Sequence, residues 1–355
     1  MIDAVFYSTI YLIIISLLTL FQCTGKGYYL HRNNNHTGEI CLLLLLILFI
    51  GFRPASYTFV DMMNYIGSYN HLEGSPFIFN LDVENKIFDN LFTYMASQSM
   101  GYTFFFVIIA VIYFTGIYIC CRKLFPKDTF LAFLVYLGAF STFSYATNGV
   151  KAGAAASIFL MALAYREKWW FSILLLLISW GFHHSMVLCV AAYVVASVYK
   201  NPKAYLLFWL FCLLIALLHI GFFQELFAGM ADERGADYLT STEDWGGKSG
   251  FRYDFVLYSA TPVAIGWWII FKKKIISDRY NFLLNVYLLT NGIWMLCMYA
   301  SFTNRIAYLS WFMLPVVLIY PFINEKVSPR QDKYLSRITL AHLSFTLFMA
   351  FIYYS

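Results

Sequence analysis

Apolar runs follow one another along almost the whole chain, at 4–21, 40–52, 101–120, 129–145, 149–165, 169–182, 184–199, 204–223, 255–271, 281–301, 305–323 and 336–354. A hydrocarbon core about 30 Å thick needs about 20 apolar residues per helix, and only helices or closed barrels satisfy their backbone inside it. The apolar-out, polar-in alternation of barrel strands is absent, so each run is read as a helix. The pattern predicts an all-α, polytopic membrane protein of about twelve transmembrane helices with mostly short connections. Two connections are long, 53–100 and 224–254. In the first, Ile87, Phe88, Leu91, Phe92 and Met95 recur at helical spacing. That predicts a helix lying on the membrane surface, or a re-entrant pair. No repeat, low-complexity stretch or separable soluble domain stands out, so 1–355 reads as a single transmembrane domain.

Composition agrees with the pattern. Hydrophobic residues make up 61% and charged ones 12%, against the roughly 25% charged that a soluble domain carries. The N-terminus has Asp3 but no basic residue before the apolar run Val5 to Leu20, and no small-residue cleavage site follows. It reads as a retained first span rather than a signal peptide. The seven cysteines fall within spans or at their inner ends, so no structural disulfide is expected.

The charges are sorted by side. With the N-terminus outside, the inner loops hold seventeen of the 24 basic residues and only six of the 19 acids. The positive-inside rule therefore places both termini outside. An inner Lys or Arg is explained by topology; an outer one is not.

The outer residues are the chemical candidates. Arg53 follows the second run, with Asp61 and Tyr65 one helical turn apart after it. A guanidinium at that depth either grips something anionic or snorkels to headgroup phosphates. Lys151 stands beside Asn148 at the outer end of a small-residue helix, Gly149 to Ser157, whose alanines and glycines admit a neighbouring backbone or a lipid chain. It suits an anionic ligand or a partner such as Asp61. The turn Phe182-His183-His184-Ser185 offers an imidazole as a general base or as a donor to phosphate. Adjacent helical residues diverge by about 100°, which favours one of the pair, His183, as the inward one. Arg252 precedes Asp254, and Asn304, Arg305 and Tyr308 open the eleventh run. Each arginine supplies a fork for diphosphate oxygens, or half of an ion pair with Asp61, Asp254 or Glu84. Around Trp245-Gly246-Gly247 the second long loop carries Tyr238, Phe251 and Tyr253, as a lid over a sugar would, or as interface aromatics do.

P-loop, Rossmann, HExxH and GxSxG motifs are missing, and the basic residues line span ends rather than one nucleic-acid face. Asp61, Glu84 and Asp254 offer oxygen ligands for Mg²⁺ or Mn²⁺, but with so many fixed cations no metal and no cofactor is expected.

In order, the chain shows Arg53, Asp61 and Tyr65 after the second span, then the helix Asn148 to Gly153, the turn Phe182 to Ser185, and Asn304-Arg305 opening a late span. This resembles the EpsG-like branch of the Wzy-type bacterial polysaccharide polymerases over most of the chain. Lys151 stands where relatives usually have arginine. Only Glu84 to Phe88 is comparable to the family's acidic element late in the first outer loop. The resemblance implies a GT-C-like glycosyltransferase of the bacterial inner membrane, working on the periplasmic or exterior side. It would join undecaprenyl-diphosphate-linked repeat units of O-antigen, capsule or exopolysaccharide.

Donor and acceptor glycans and membrane lipids would be the partners, with a chain-length regulator and the flippase of the pathway as further candidates. Arg53, Lys151, Arg252 and Arg305 would hold the diphosphate, and His183 or Asp61 would serve the acceptor hydroxyl. Tyr65, Glu84, Asn148, Ser185, Asp254, Asn304 and Tyr308 would line the substrate. Competing readings are another lipid-linked-sugar glycosyltransferase or O-antigen ligase, a polysaccharide transporter or flippase, and a membrane O-acyltransferase.

Overall fold

The computed structural model describes residues 2–24, 36–228, 250–301 and 303–353. Among them every regular element is helical. The helices divide into two compact units, one comprising Met1–Val187, Phe322–Asn324 and Arg330–Ser355, the other Leu188–Pro321 and Glu325–Pro329. In chain order they are α1 (Tyr7–Thr24), α2 (Thr37–Gly51), α3 (Met62–Leu72), α4 (Lys86–Ser97), α5 (Tyr102–Leu124), α6 (Thr129–Leu137), α7 (Thr142–Thr147), α8 (Val150–Ala164) and α9 (Trp169–Phe182). Then follow α10 (Met186–Val198), α11 (Pro202–Leu217), α12 (Phe222–Ala228), α13 (Tyr253–Trp267), α14 (Asp278–Leu296), α15 (Thr303–Trp311), α16 (Leu314–Asn324) and α17 (Gln331–Phe348).

Every apolar run contains a helix, and the helices differ in length. Five helical stretches among the described residues are long and apolar enough to cross a membrane: Ala4–Thr24, Tyr102–Leu124, Tyr253–Lys272, Thr303–Asn324 and Gln331–Tyr353. The apolar helices α2, α8, α9, α10 and α11 have 13 to 16 residues. At 1.5 Å per residue they reach roughly 20–24 Å, short of about 30 Å of hydrocarbon. The run 129–145 is broken between α6 and α7. There the carbonyls of Leu137 and Gly138 accept from the hydroxyls of Tyr11 and Thr346, both at 2.7 Å, so the chain turns without leaving buried oxygens unpaired.

In the first unit the small-residue run of α8 serves helix packing. Ala154, Ala155, Ala156 and Ser157 are buried, Ser157 Oγ donates to Ile112 O of α5 at 3.2 Å, and Ser179 Oγ of α9 donates to Ala155 O at 2.7 Å. Of the two readings of that run, close approach of backbones is the one observed. A β-carbon on Gly153 would lie 2.5 Å from Tyr145 O, which is why only glycine fits there. The helix expected in the first long connection is present as α4. Its apolar face packs on the protein: Phe88, Phe92, Met95 and Ala96 are buried, and Ile87 fills the space that a side chain on Gly181 of α9 would occupy, at 2.6 Å.

The second unit is tied by buried side-chain hydrogen bonds. Trp209 Nε1 donates to Asn291 Oδ1 at 2.7 Å, Asn291 Nδ2 to Ser310 Oγ at 2.9 Å, and Trp311 Nε1 to Ser259 Oγ at 2.8 Å, joining α11, α13, α14 and α15. Outward positions such as Leu44, Leu45, Leu177, Trp180, Leu210 and Phe211 are exposed. Apolar surface on this scale suits lipid as the solvent.

Candidate functional site

Helix α2 ends at Gly51 because Pro54 follows and disfavours helical backbone at Arg53. The terminus leaves carbonyls unpaired, and Arg53 takes one. Its Nη1 donates to Ile50 O at 2.9 Å, while Nη2 donates to Thr147 O, at the end of α7, at 3.1 Å. A cation at two helix C-termini also meets the negative end of both dipoles. Its carbon lies 4.5 Å from the ring centre of Phe106 and 5.5 Å from that of Phe59. Arg53 is 4% exposed, and among the described residues no carboxylate pairs with it and its Nε has no hydrogen-bond partner. Burial pushes the guanidinium down to about 10, so it stays charged at neutral pH.

Phe106 belongs to an aromatic cluster that includes Tyr65 and Phe88 and reaches Lys151. Tyr65 packs 6.4 Å from Phe106 and 6.1 Å from Phe88 and from Phe92, edge to face. Lys151 also meets this cluster, its Nζ 5.0 Å from the ring centre of Phe88. The partner of Lys151 is Asp89, at 3.1 Å, and not Asp61. Asp61 opens α3 half-buried and, among the described residues, makes no side-chain hydrogen bond or ion pair. Tyr65 N donates to Asp61 O at 3.1 Å, which confirms the single-turn spacing. Asn148, after α7, has its buried Oδ1 without a partner among the described residues.

The two histidines depart from the helical expectation. Helix α9 stops at Phe182, His183 is extended (φ −149°), and the imidazoles stack with centres 5.0 Å apart and planes at 22°. The 100° divergence that favoured one ring over the other does not apply between two helices, so the rings lie together. Their hydrogen bonds differ. His183 Nδ1 accepts from Ser185 N at 3.2 Å and from Ser185 Oγ at 2.7 Å, so the neutral ring carries its proton on Nε2. His184 Nδ1 faces two acceptors, Glu84 Oε1 and Asn85 Oδ1, each at 3.3 Å.

Asn85 is the residue that sequence reasoning passed over. It is buried, its Oδ1 accepts from His184 N at 3.0 Å, and Asp89 Oδ2 accepts from Asn85 N at 3.1 Å and from Asn85 Nδ2 at 3.4 Å. The chain Lys151, Asp89, Asn85, His184, Glu84 is thus one connected polar network at the start of α4. A polar cluster Glu84-Asn85 just ahead of an apolar-periodic helix was the available signal.

In the second unit Arg252 is buried ahead of α13. Its Nε and Nη2 donate to the two oxygens of Asp254 at 3.0 and 2.6 Å, and its carbon lies 3.5 Å from the ring centre of Phe255. The ion-pair alternative for Arg252 is the arrangement observed. Arg305 and Asn304 are exposed on the first turn of α15, and Tyr308 is buried 5.8 Å from Phe312. Phe251 and Tyr253 lie 4.6 Å apart, whereas Tyr238 and the turn at Trp245 lie outside the described residues. Among the described residues no three His, Cys, Asp or Glu side chains cluster as metal ligands. Asp254 is engaged by Arg252, and Glu84 by His184.

Long apolar helices, exposed leucines and aromatics, and a polar network outside the helix interiors define a multi-helix membrane protein. Residues 39–355 match the EpsG family, and the chain belongs to that family. The family is one of polysaccharide polymerase-type membrane proteins, associated with glycosyltransferase-like polymerases. No curated protein and no solved structure matches the chain.

Proposed function

We propose that the chain polymerises undecaprenyl-diphosphate-linked oligosaccharide repeat units on the extracytoplasmic face of a bacterial inner membrane. The growing glycan on its lipid diphosphate is the donor, and a hydroxyl of a second lipid-linked unit attacks its anomeric carbon. In this reading the twelve apolar runs cross or enter the membrane in a GT-C-like arrangement, as one polymerase domain with both termini outside. The sorting of basic residues supports that orientation.

The observation that carries the reading is Arg53. Among the described residues this buried guanidinium is faced by carbonyls and aromatic rings, and no carboxylate of theirs neutralises its charge. Departure of a lipid diphosphate develops negative charge, and a preorganised cation in a partly dry site stabilises that charge without reorganising. Lys151, against Phe88 of the same aromatic cluster, adds a second cation once a phosphate competes with Asp89. His183, with its proton on Nε2, suits the role of donor to a phosphate oxygen. The arginines of the second unit are assigned separately: Arg305 to phosphate, Arg252 to the ion pair that opens α13.

Deletion of the chain from its cells tests the reading. Expected are loss of long polymer and accumulation of single lipid-linked repeat units, both reversed by the wild-type chain. Unchanged polymer length in the deletion strain contradicts it.

A further inference from the structure

We infer that His184, rather than His183 or Asp61, is the general base of the transfer, oriented by Glu84 and Asn85; this rests on the polymerase reading above. The protonation pattern follows from the hydrogen bonds. Asn85 cannot be flipped, because Asp89 Oδ2 requires its Nδ2–H and His184 N–H requires its Oδ1. The two atoms facing His184 Nδ1, Asn85 Oδ1 and the carboxylate oxygen of Glu84, both accept. Nδ1 therefore carries a proton, and the neutral ring has its lone pair on Nε2. His183 has the opposite arrangement, since a main-chain N–H can only donate to its Nδ1. The stacked rings thus present one Nε2 that accepts a proton and one that donates a hydrogen bond.

The His184 side chain is 43% exposed, which suits a group that meets a solvated sugar hydroxyl. In the transfer, the acceptor oxygen bonds to the anomeric carbon as the bond from that carbon to the diphosphate oxygen breaks. The hydroxyl proton passes to His184 Nε2, and the electron pair leaves with the lipid diphosphate. Glu84 stabilises the imidazolium that forms, and water later takes its proton. Glu84 and Asn85 are positioning residues. Among the described residues, the charged groups connected to this site include Glu84, the neighbouring His183 ring, and Asp89 with Lys151 behind Asn85.

The test uses the full chain in proteoliposomes with lipid-linked repeat units extracted from cells lacking it. His184→Ala is expected to lower kcat at least 100-fold with KM within about threefold, and added imidazole to restore at least a tenth of the lost rate. Glu84→Gln is expected to lower kcat about tenfold and to move the acid limb of the pH profile to lower pH, because the imidazolium loses its carboxylate. His183→Gln is expected to leave the acid limb in place. Rescue by imidazole separates a lost base from a misfolded protein. Elongation by His184→Ala within threefold of wild type overturns the assignment, as does a loss that imidazole does not restore. If the wild-type chain elongates nothing, the polymerase reading fails and the assignment falls with it. If the wild type elongates and His184→Ala does too, only the assignment fails.

Discussion

Lys151 Nζ lies 3.1 Å from Asp89 Oδ1, across 62 residues of sequence, while the other oxygen of the same carboxylate accepts from the main-chain N–H of Asn85. One side chain thus caps the start of α4 and holds the first turn of α8. Asp89→Ala removes both contacts and is expected to cost about 1–2 kcal/mol, since a half-exposed ion pair contributes little beyond the cap. Asp89→Asn keeps an acceptor for the cap and is expected to lose less than half of that. Thermal unfolding in detergent checks the order; equal midpoints for Asp89→Ala and wild type contradict it.

Arg53 separates stability from function. Arg53→Met keeps most of the volume between Phe106 and Phe59 and removes the buried charge, while leaving the carbonyls of Ile50 and Thr147 without a donor. Relief of desolvation and loss of the hydrogen bonds oppose each other with similar size, so stability is expected to change by about 1 kcal/mol or less. Polymer formation is expected to disappear, in contrast to Lys273→Ala, which should polymerise normally. Gel analysis of chain-length ladders, with the membrane-inserted protein quantified alongside, decides it. Arg53 sits at about 10 in the folded protein, below the ordinary arginine value, so it is charged in both folded and unfolded chains at neutral pH. Its contribution to stability is therefore flat from pH 6 to 9 and rises only as pH climbs above about 10, where the unfolded chain binds the extra proton.

The packing of α8 against its surroundings predicts a contrast between two glycines. Gly153→Ala forces a methyl group to 2.5 Å from Tyr145 O, a main-chain atom that cannot swing away, whereas a β-carbon on Gly67 of α3 meets nothing within 4 Å. Gly153→Ala is expected to destabilise by about 1–3 kcal/mol. Gly67→Ala is expected to be neutral or to stabilise by up to about 1 kcal/mol. Unfolding midpoints of the two variants measure this directly.

The Arg252–Asp254 pair is bidentate and buried. Asp254→Ala breaks both of these charge-assisted hydrogen bonds at once, so it is expected to cost about 1–3 kcal/mol. Replacing both, as Arg252→Met with Asp254→Leu, is expected to recover most of that loss and to retain polymerisation. A stable double variant without activity would return Arg252 to the phosphate-binding set.

Much of the fold was legible because apolar runs and helical spacing are local signals; α4 emerged from five residues in a polar loop. Span length was less legible. The hydroxyls that allow the break after Leu137 come from Tyr11 and Thr346, far away in sequence, and nothing near 137 announces them. In the site, Arg53 and the ion-pair option for Arg252 were readable from a charge at a helix end and from a partner two residues on. Lys151 was matched to Asp61 because both were outer and oppositely charged. Which carboxylate reaches it depends on how α4 docks against α9, and that rests on Ile87 seating at Gly181. The helical geometry assumed at 182–185 does not hold, because the chain passes between two helices there and His183 is extended.

Purified protein in proteoliposomes, supplied only with lipid-linked repeat units, tests the central claim most directly when product length and released undecaprenyl diphosphate are both followed. The account predicts a ladder of products, one undecaprenyl diphosphate released per linkage formed, continued activity in EDTA, and no ladder from Arg53→Met. Repeat units left at their original length, or lengthened by one sugar without release of the lipid diphosphate, would contradict it.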